Sequence, residues 1–291
     1  MEKLKQINVI KYENENSDLR EKLKSVNYHL IKACNYRCKF CFAHFNQIEK
    51  NKLTKNDAKN IINELSNFGT KKITFVGGEP TLVEFLPDLV KYAKDKGMTT
   101  MVVTNGTKLN EQYLKKFENK LDWVGLSIDS GREQINKELG RGNGNHVSQT
   151  LDNVKLLRKY NIRVKLNTVV TKLSYDEDMS WLIKKIKPER WKVFKLLMIK
   201  GENDAAKYLT ISDKEFNSFI EKHEKCDPIM ENNDDMTNSY VMIDPEGRFF
   251  SNSNGKLNHG PPILAVGIEK AFKITEFNIA KFESRGGDYD W

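Results

Sequence analysis

The sequence predicts an α/β fold, a partial (βα)6 barrel of the TIM type whose lateral opening is capped by a C-terminal extension. Three observations predict it. Short apolar or β-branched runs alternate with amphipathic stretches, the mark of repeated βα units and a parallel sheet. Helix punctuation recurs between the runs, with Thr54 ahead of one amphipathic stretch and Gly69, Gly97 and Pro188 behind three of them. The rhythm then stops near Gly201, and 291 residues with 38% hydrophobic content suffice for one large domain.

Residues 1–24 are expected to form a charged N-terminal segment, with no signal peptide or apolar anchor. Residues 25–200 form the barrel core. Its strands are expected over Val26–Ile31, Lys72–Val76, Thr99–Thr104, Trp123–Ile128, Arg163–Val170 and Trp191–Met198. The first intervening helix carries Ile61, Ile62 and Leu65, and further helices are expected over Leu82–Lys94, Glu111–Glu118, His146–Lys159 and Asp178–Lys187. Six such strands with right-handed crossovers close only part of a barrel and leave room for a large substrate. Residues 201–291 read as the capping extension, with a helix over Asp213–Glu224, a hairpin over Tyr240–Phe250 turning at Pro245 to Gly247, and a glycine-rich tail.

Lys and Arg outnumber Asp and Glu by 48 to 40, a formal charge of +8, but the two signs are interspersed and no basic block occurs. Nucleic-acid binding is therefore not expected, whereas a small polyanionic ligand is compatible with the excess. No long apolar run exists to span a membrane. Of four cysteines, three lie too close together to staple distant segments, so the chain reads as a cytoplasmic protein of a reducing compartment. Cys226 stands alone and reads as an inert thiol.

Cys34, Cys38 and Cys41 fall within eight residues, CNYRCKFC. One short loop can present three thiolates to three irons of a cluster and leave the fourth iron open. The other reading is zinc, with His44 as fourth ligand. Context bears on the choice, because a strand precedes the loop and the next strand runs into GGEP, Gly77 to Pro80, as a site at the C-terminal ends of barrel strands requires. TNG at Thr104 to Gly106, SIDS at Ser127 to Ser130 and the loop around Arg141 fall at further strand ends.

This ordered series resembles the radical S-adenosylmethionine superfamily, with Phe40 as the aromatic of its cysteine motif. The resemblance implies a [4Fe-4S] cluster on Cys34, Cys38 and Cys41, with S-adenosyl-L-methionine on the open iron. It also implies that Gly77, Gly78, Glu79 and Pro80 hold the methionine amino group, with Phe40, Thr104, Asn105, Ser127 and Arg141 around the rest of that cofactor. Within the superfamily, VNYHLIKACNYRCKFCF, GRGNGNHV, DEDM, RWKVFKLLMIKGEN, SYVMID and RGGDYDW are similar, in the same order, to segments of the viperin family, from about Ser25 to Trp291. Two departures are a valine, Val76, before GGEP and the end at DYDW, which suggests Trp291 as a core residue.

The viperin resemblance implies dehydration of a ribonucleoside triphosphate, CTP foremost with UTP or GTP as further substrates, to its 3′-deoxy-3′,4′-didehydro form after loss of the 4′ hydrogen. The product is a chain terminator in antiviral or anti-phage defence. Asn27, Lys72, Lys165, Asn167, Lys192 and Arg285 would bind substrate, Tyr240 would give the final hydrogen atom, and the tail around Arg285 would order as a lid on nucleotide binding. Lys165 and Asn167, two apart on one strand, point to one face, opposite Leu166. A flavodoxin or ferredoxin type electron donor and a monomeric state are implied as well. The competing activities are a radical S-adenosylmethionine GTP cyclase, which needs a second cysteine cluster where this chain has only Cys226, and a zinc-stabilised nucleic-acid-binding module.

Overall fold

A computed structural model describes residues 19–48, 53–273 and 275–291. The expectation for residues 1–24 lies for the most part outside the described residues. Six parallel strands follow in order: β1 Ser25–His29, β2 Lys72–Val76, β3 Thr99–Thr104, β4 Trp123–Ser127, β5 Arg163–Val170 and β6 Arg190–Lys195. The extension adds β7 Ile229–Glu231 beside β6, and β8 Val241–Ile243, β9 Arg248–Ser251 and β10 Asn258–Pro262 beyond β1. The sheet therefore runs β10-β9-β8-β1-β2-β3-β4-β5-β6-β7 and stays open. The expected cap is thus also a continuation of the sheet at both edges. Of its four strands, only the β8–β9 hairpin was anticipated.

Strand period decides the two faces. On β5, Val164, Leu166, Thr168 and Val170 are fully buried against the helical layer, while Lys165, Asn167 and Val169 turn to the barrel interior. On the outer side the helix Lys55–Asn67 buries Ala58, Ile61, Ile62 and Leu65. Thr54 starts that helix by accepting a hydrogen bond from the Asp57 amide, in a capping box. Helix Leu86–Asp95 adds Leu86, Leu89, Val90 and Ala93 to the same core.

Several boundaries differ from expectation for local reasons. Pro87 sets the start of the second helix at Leu86, and Pro80 to Leu82 form a separate 3-10 turn. The helix expected over Asp178–Lys187 runs over Ser180–Ile186, closed by Lys187 in the left-handed conformation at φ 48°. A short helix, Glu133–Glu138, was not anticipated. Among the described residues no helix is long and apolar enough to cross a membrane.

Candidate active site

The cysteine loop is held in place by backbone on both sides. From one side the Gly78 amide donates to Ile31 O at 2.5 Å and the Glu79 amide to Ala33 O at 2.8 Å. A Cβ on Gly78 would lie 2.3 Å from Ala33 O, and one on Gly77 2.7 Å from Ile31 O, so only glycine permits this approach. From the other side the Arg37 amide donates to Gly140 O and the Lys39 amide to Leu139 O. Gly140 has φ +82°, and a Cβ there would fall 2.1 Å from Arg37 O.

Cys34, Cys38 and Cys41 face one cavity of about 340 Å³. The Tyr36 amide donates to Cys34 Sγ at 3.3 Å. Burial pushes the Cys38 thiol up to about 12 and raises Cys34 and Cys41 too, with Arg141 opposing the rise at all three. Thiols in this state keep their protons until a metal displaces them. Three soft donors on one loop, with a backbone donor aimed at one sulfur, suit an iron-sulfur cluster that leaves one iron open. His44, the fourth ligand of the zinc reading, does not line this cavity, and its Nδ1 sits 2.9 Å from Glu202 O. Cys226 is half-buried against the outer core and does not line the cavity.

The other strand ends converge on the same rim. The Glu79 carboxylate is 1% exposed and accepts from the Thr81 amide and hydroxyl, from the Thr104 hydroxyl at 2.6 Å and from the Asn105 amide at 2.8 Å. Glu79 thus welds the β2 and β3 loops together, and with Gly77 and Gly78 it lines the cavity. Arg141 is ion-paired to buried Asp129, and its guanidinium lies 5.7 Å from the centre of the Phe40 ring. Ser127 lines the cavity too, and its carbonyl oxygen is 2.7 Å from His146 Nε2.

The opposite end is a basic floor. Lys72, Lys165, Asn167 and Lys192 line it from β2, β5 and β6, with Asn27 from β1 and Arg285 from the tail. Register brings them together: Asn27 pairs with Thr74 across β1 and β2, and Asn167 with Lys192 across β5 and β6. Burial drives the Lys72 ammonium well below its ordinary range, and so do Lys192, Arg190, Arg285 and Arg163. Burial likewise lowers Lys165, helped by Lys192 and Lys72. Lys192 falls to about 8 through burial, although Glu231 pulls the other way. Two unit charges about 6 Å apart repel by roughly 3 kcal/mol at an effective dielectric of about 20, so such a cluster is poised for a polyanion.

Arg285 is already inside the barrel, 7% exposed, donating to Glu231 and to Ser239 O at 2.6 Å. Its guanidinium lies 3.6 Å from the centre of the Tyr240 ring, and the Tyr240 hydroxyl donates to Glu231. Trp291 packs beside the floor instead of in a core, edge-on to Tyr289 and 5.3 Å from Lys72 Nζ.

Every site residue anticipated from the sequence lines this cavity except Pro80, which is buried at the start of the 3-10 turn. Sequence reasoning missed His29, Asp129, Tyr289 and Glu231. His29 and Asp129 had a signal, since each lies two residues beyond an anticipated strand residue, Asn27 or Ser127, and so shares its face. Glu231 had none, because its strand is three residues long in a polar stretch.

Comparison with known proteins agrees with this geometry. Residues 28–186 match the family described as Radical SAM superfamily. The chain is 45% identical over 279 residues to an S-adenosylmethionine-dependent nucleotide dehydratase of Flammeovirga pacifica, spanning 92% of this chain and 96% of that protein. It is 35% identical to S-adenosylmethionine-dependent nucleotide dehydratase RSAD2 of Danio rerio, over 92% of this chain and 78% of the fish protein. Among solved structures, Streptococcus suis SuiB bound to S-adenosylmethionine superposes with a TM-score of 0.68 at 15% identity, covering 90% of this chain and 68% of that one. anSMEcpe with bound AdoMet gives 0.65 at 18%, covering 86% and 80%. At such identities these two structures show the fold alone.

Proposed function

The chain belongs to the radical SAM superfamily and, within it, to the S-adenosylmethionine-dependent nucleotide dehydratases, and from that premise we propose that it removes water from the ribose of a nucleoside triphosphate, CTP foremost, to give the 3′-deoxy-3′,4′-didehydro nucleotide. One observation carries the reading: a single cavity has three thiols at its rim and buried lysines and an arginine at its floor. Residues 25–200 supply the rim and most of the floor, and residues 201–291 add Tyr240 and Arg285.

Cys34, Cys38 and Cys41 would hold the [4Fe-4S] cluster. The carbonyl groups at Gly77 and Gly78 would take the ammonium group of S-adenosyl-L-methionine, and Arg141, Ser127, Thr104, Asn105 and Phe40 would surround the rest. When bound, the cluster and S-adenosyl-L-methionine supply a carbon radical on one-electron reduction. Lys72, Lys165, Lys192 and Arg285 bind the triphosphate through charge-assisted hydrogen bonds, which is how a buried polyanion is tolerated. Asn27 and Asn167 face the space between rim and floor and orient the sugar; the buried Oδ1 of Asn167 has no hydrogen-bond partner among the described residues. Tyr240, its hydroxyl held by Glu231, would give the last hydrogen atom. The strand-embedded walls keep water from the reacting carbon.

A flavodoxin or ferredoxin type protein would supply electrons to a monomeric, cytoplasmic enzyme, and the product would terminate viral or phage polymerisation. The test is anaerobic turnover with CTP, UTP, GTP and ATP in competition, read by mass. A product lighter than its nucleotide by one water, with 5′-deoxyadenosine formed alongside, is expected, CTP being consumed first. Absence of 5′-deoxyadenosine under strong reductant overturns the reading.

A further inference from the structure

Glu231 stands behind the floor rather than on it. It is 0% exposed on β7, opposite Phe194 of β6, and it does not line the cavity. Three groups that do line the cavity are nevertheless tied to its carboxylate. Lys192 and Arg285 are ion-paired to Oε1, and the Tyr240 hydroxyl donates to Oε2. Burial works against the ionised form, and Lys192 and Arg285 overcome it, holding the carboxyl below its usual range.

The carboxylate therefore pulls two cations from the side away from the cavity. Lys72 and Lys165 have no carboxylate partner among the described residues; Lys72 Nζ donates instead to the Tyr289 hydroxyl at 2.6 Å. The floor thus holds two basic groups ion-paired to Glu231 and two lysines without an ion pair, of which Lys165 feels the Glu231 charge from a distance. A phosphate in the cavity would draw on the same N–H donors that Glu231 holds, and a buried carboxylate close to a bound polyphosphate repels it.

We propose that Glu231 is a built-in counter-anion that opposes polyphosphate binding at Lys192 and Arg285, setting the grip on substrate low enough for the product nucleotide to leave. This rests on the floor being the phosphate site of the proposed function. Glu231 is a positioning residue, acting through Lys192, Arg285 and Tyr240. A plain structural role makes the opposite prediction, since a prop that is weakened leaves a looser floor and poorer binding.

Calorimetric titration of the cluster-loaded protein with inorganic tripolyphosphate separates these cases. Glu231→Gln, which keeps the shape and removes the charge, is expected to bind tripolyphosphate at least tenfold more tightly than the unaltered protein. In turnover it is expected to lower KM for the nucleotide and to lower kcat through slower release. Glu231→Asp withdraws the carboxylate by one methylene and should fall between the two, so the idea stays testable if the glutamine variant does not fold. Equal or weaker tripolyphosphate binding in either variant overturns the inference alone. Failure of the unaltered protein to bind tripolyphosphate overturns the phosphate floor itself, and the inference with it.

Discussion

The rim and the floor of this barrel are built by different means. At the rim, backbone holds backbone: Gly77 and Gly78 lie against Ile31 and Ala33, and Gly140 against Arg37, so the cysteine loop is fixed by contacts that no side chain can replace. At the floor, side chains carry everything: Lys72, Lys165, Lys192 and Arg285 are crowded together, only Lys192 and Arg285 are ion-paired to the buried Glu231 carboxylate, and burial with mutual repulsion holds the lysines below their ordinary range. The rim is stabilised by its own geometry, whereas the floor is held under electrostatic strain that a ligand relieves. That strain is useful, because a site already neutral would have little to gain from a polyanion.

The contrast breaks most visibly with substitutions of opposite effect. Cys38→Ala should abolish the brown absorption near about 400 nm and all 5′-deoxyadenosine formation, because two thiolates do not retain such a cluster. Tripolyphosphate binding at the floor should survive in that variant, and its loss would show that rim and floor are not separate devices. Lys165→Met should do the reverse. The cluster and uncoupled cleavage of S-adenosyl-L-methionine should persist, while nucleotide affinity falls by about a hundredfold, in line with loss of a charge-assisted contact of about 3 kcal/mol. The same substitution should raise the thermal midpoint, since it replaces a desolvated cation among like charges with an apolar side chain of similar length. A lowered midpoint would mean that the floor is not strained.

Tyr240→Phe sharpens the comparison within the floor. It removes one of the donors to Glu231 and leaves the ring against Arg285. Product formed per 5′-deoxyadenosine is expected to drop about tenfold, a size typical of losing one positioned proton donor at the low end. Nucleotide affinity should change less than threefold. Full product yield would remove Tyr240 from the chemistry.

The two regions were also unequally legible in the sequence. The rim could be read because its parts are contiguous: CNYRCKFC and GGEP each place several functional groups in one loop, and glycines mark where backbones meet. Lys165 and Asn167 could be read from strand period alone, opposite buried Leu166. Glu231 could not, because a three-residue strand in a polar stretch gains its place only from pairing with β6, a contact made across the fold. The same holds for β7 and β10, whose sequences have little strand character of their own. Tyr289, which meets Lys72 from 217 positions away, is equally non-local.

The smallest expected effect is also the one that tests the strain most directly. Lys192 has its ammonium lowered from the ordinary 10.5 to about 8 by burial, with Arg285 and Arg190 adding repulsion and Glu231 opposing it; Lys72 and Lys165 face it from β2 and β5, and the Tyr240 ring lies 5.8 Å from its Nζ. The folded value is depressed, so between about 8 and 10.5 the unfolded chain binds more protons, and stability without ligand should rise with pH across that window. A bound polyphosphate favours the protonated amine, so binding above about pH 8 must take up protons and weaken as pH rises. The terminal phosphate ionises near about pH 6 and lies outside the window. Tripolyphosphate affinity should fall about three- to tenfold from about pH 7.5 to 9.5, and binding heats at about pH 8.5 should differ between buffers of unlike ionisation enthalpy. Identical heats in the two buffers would show that the floor carries its full charge before the ligand arrives, and the division between a relaxed rim and a strained floor would fail.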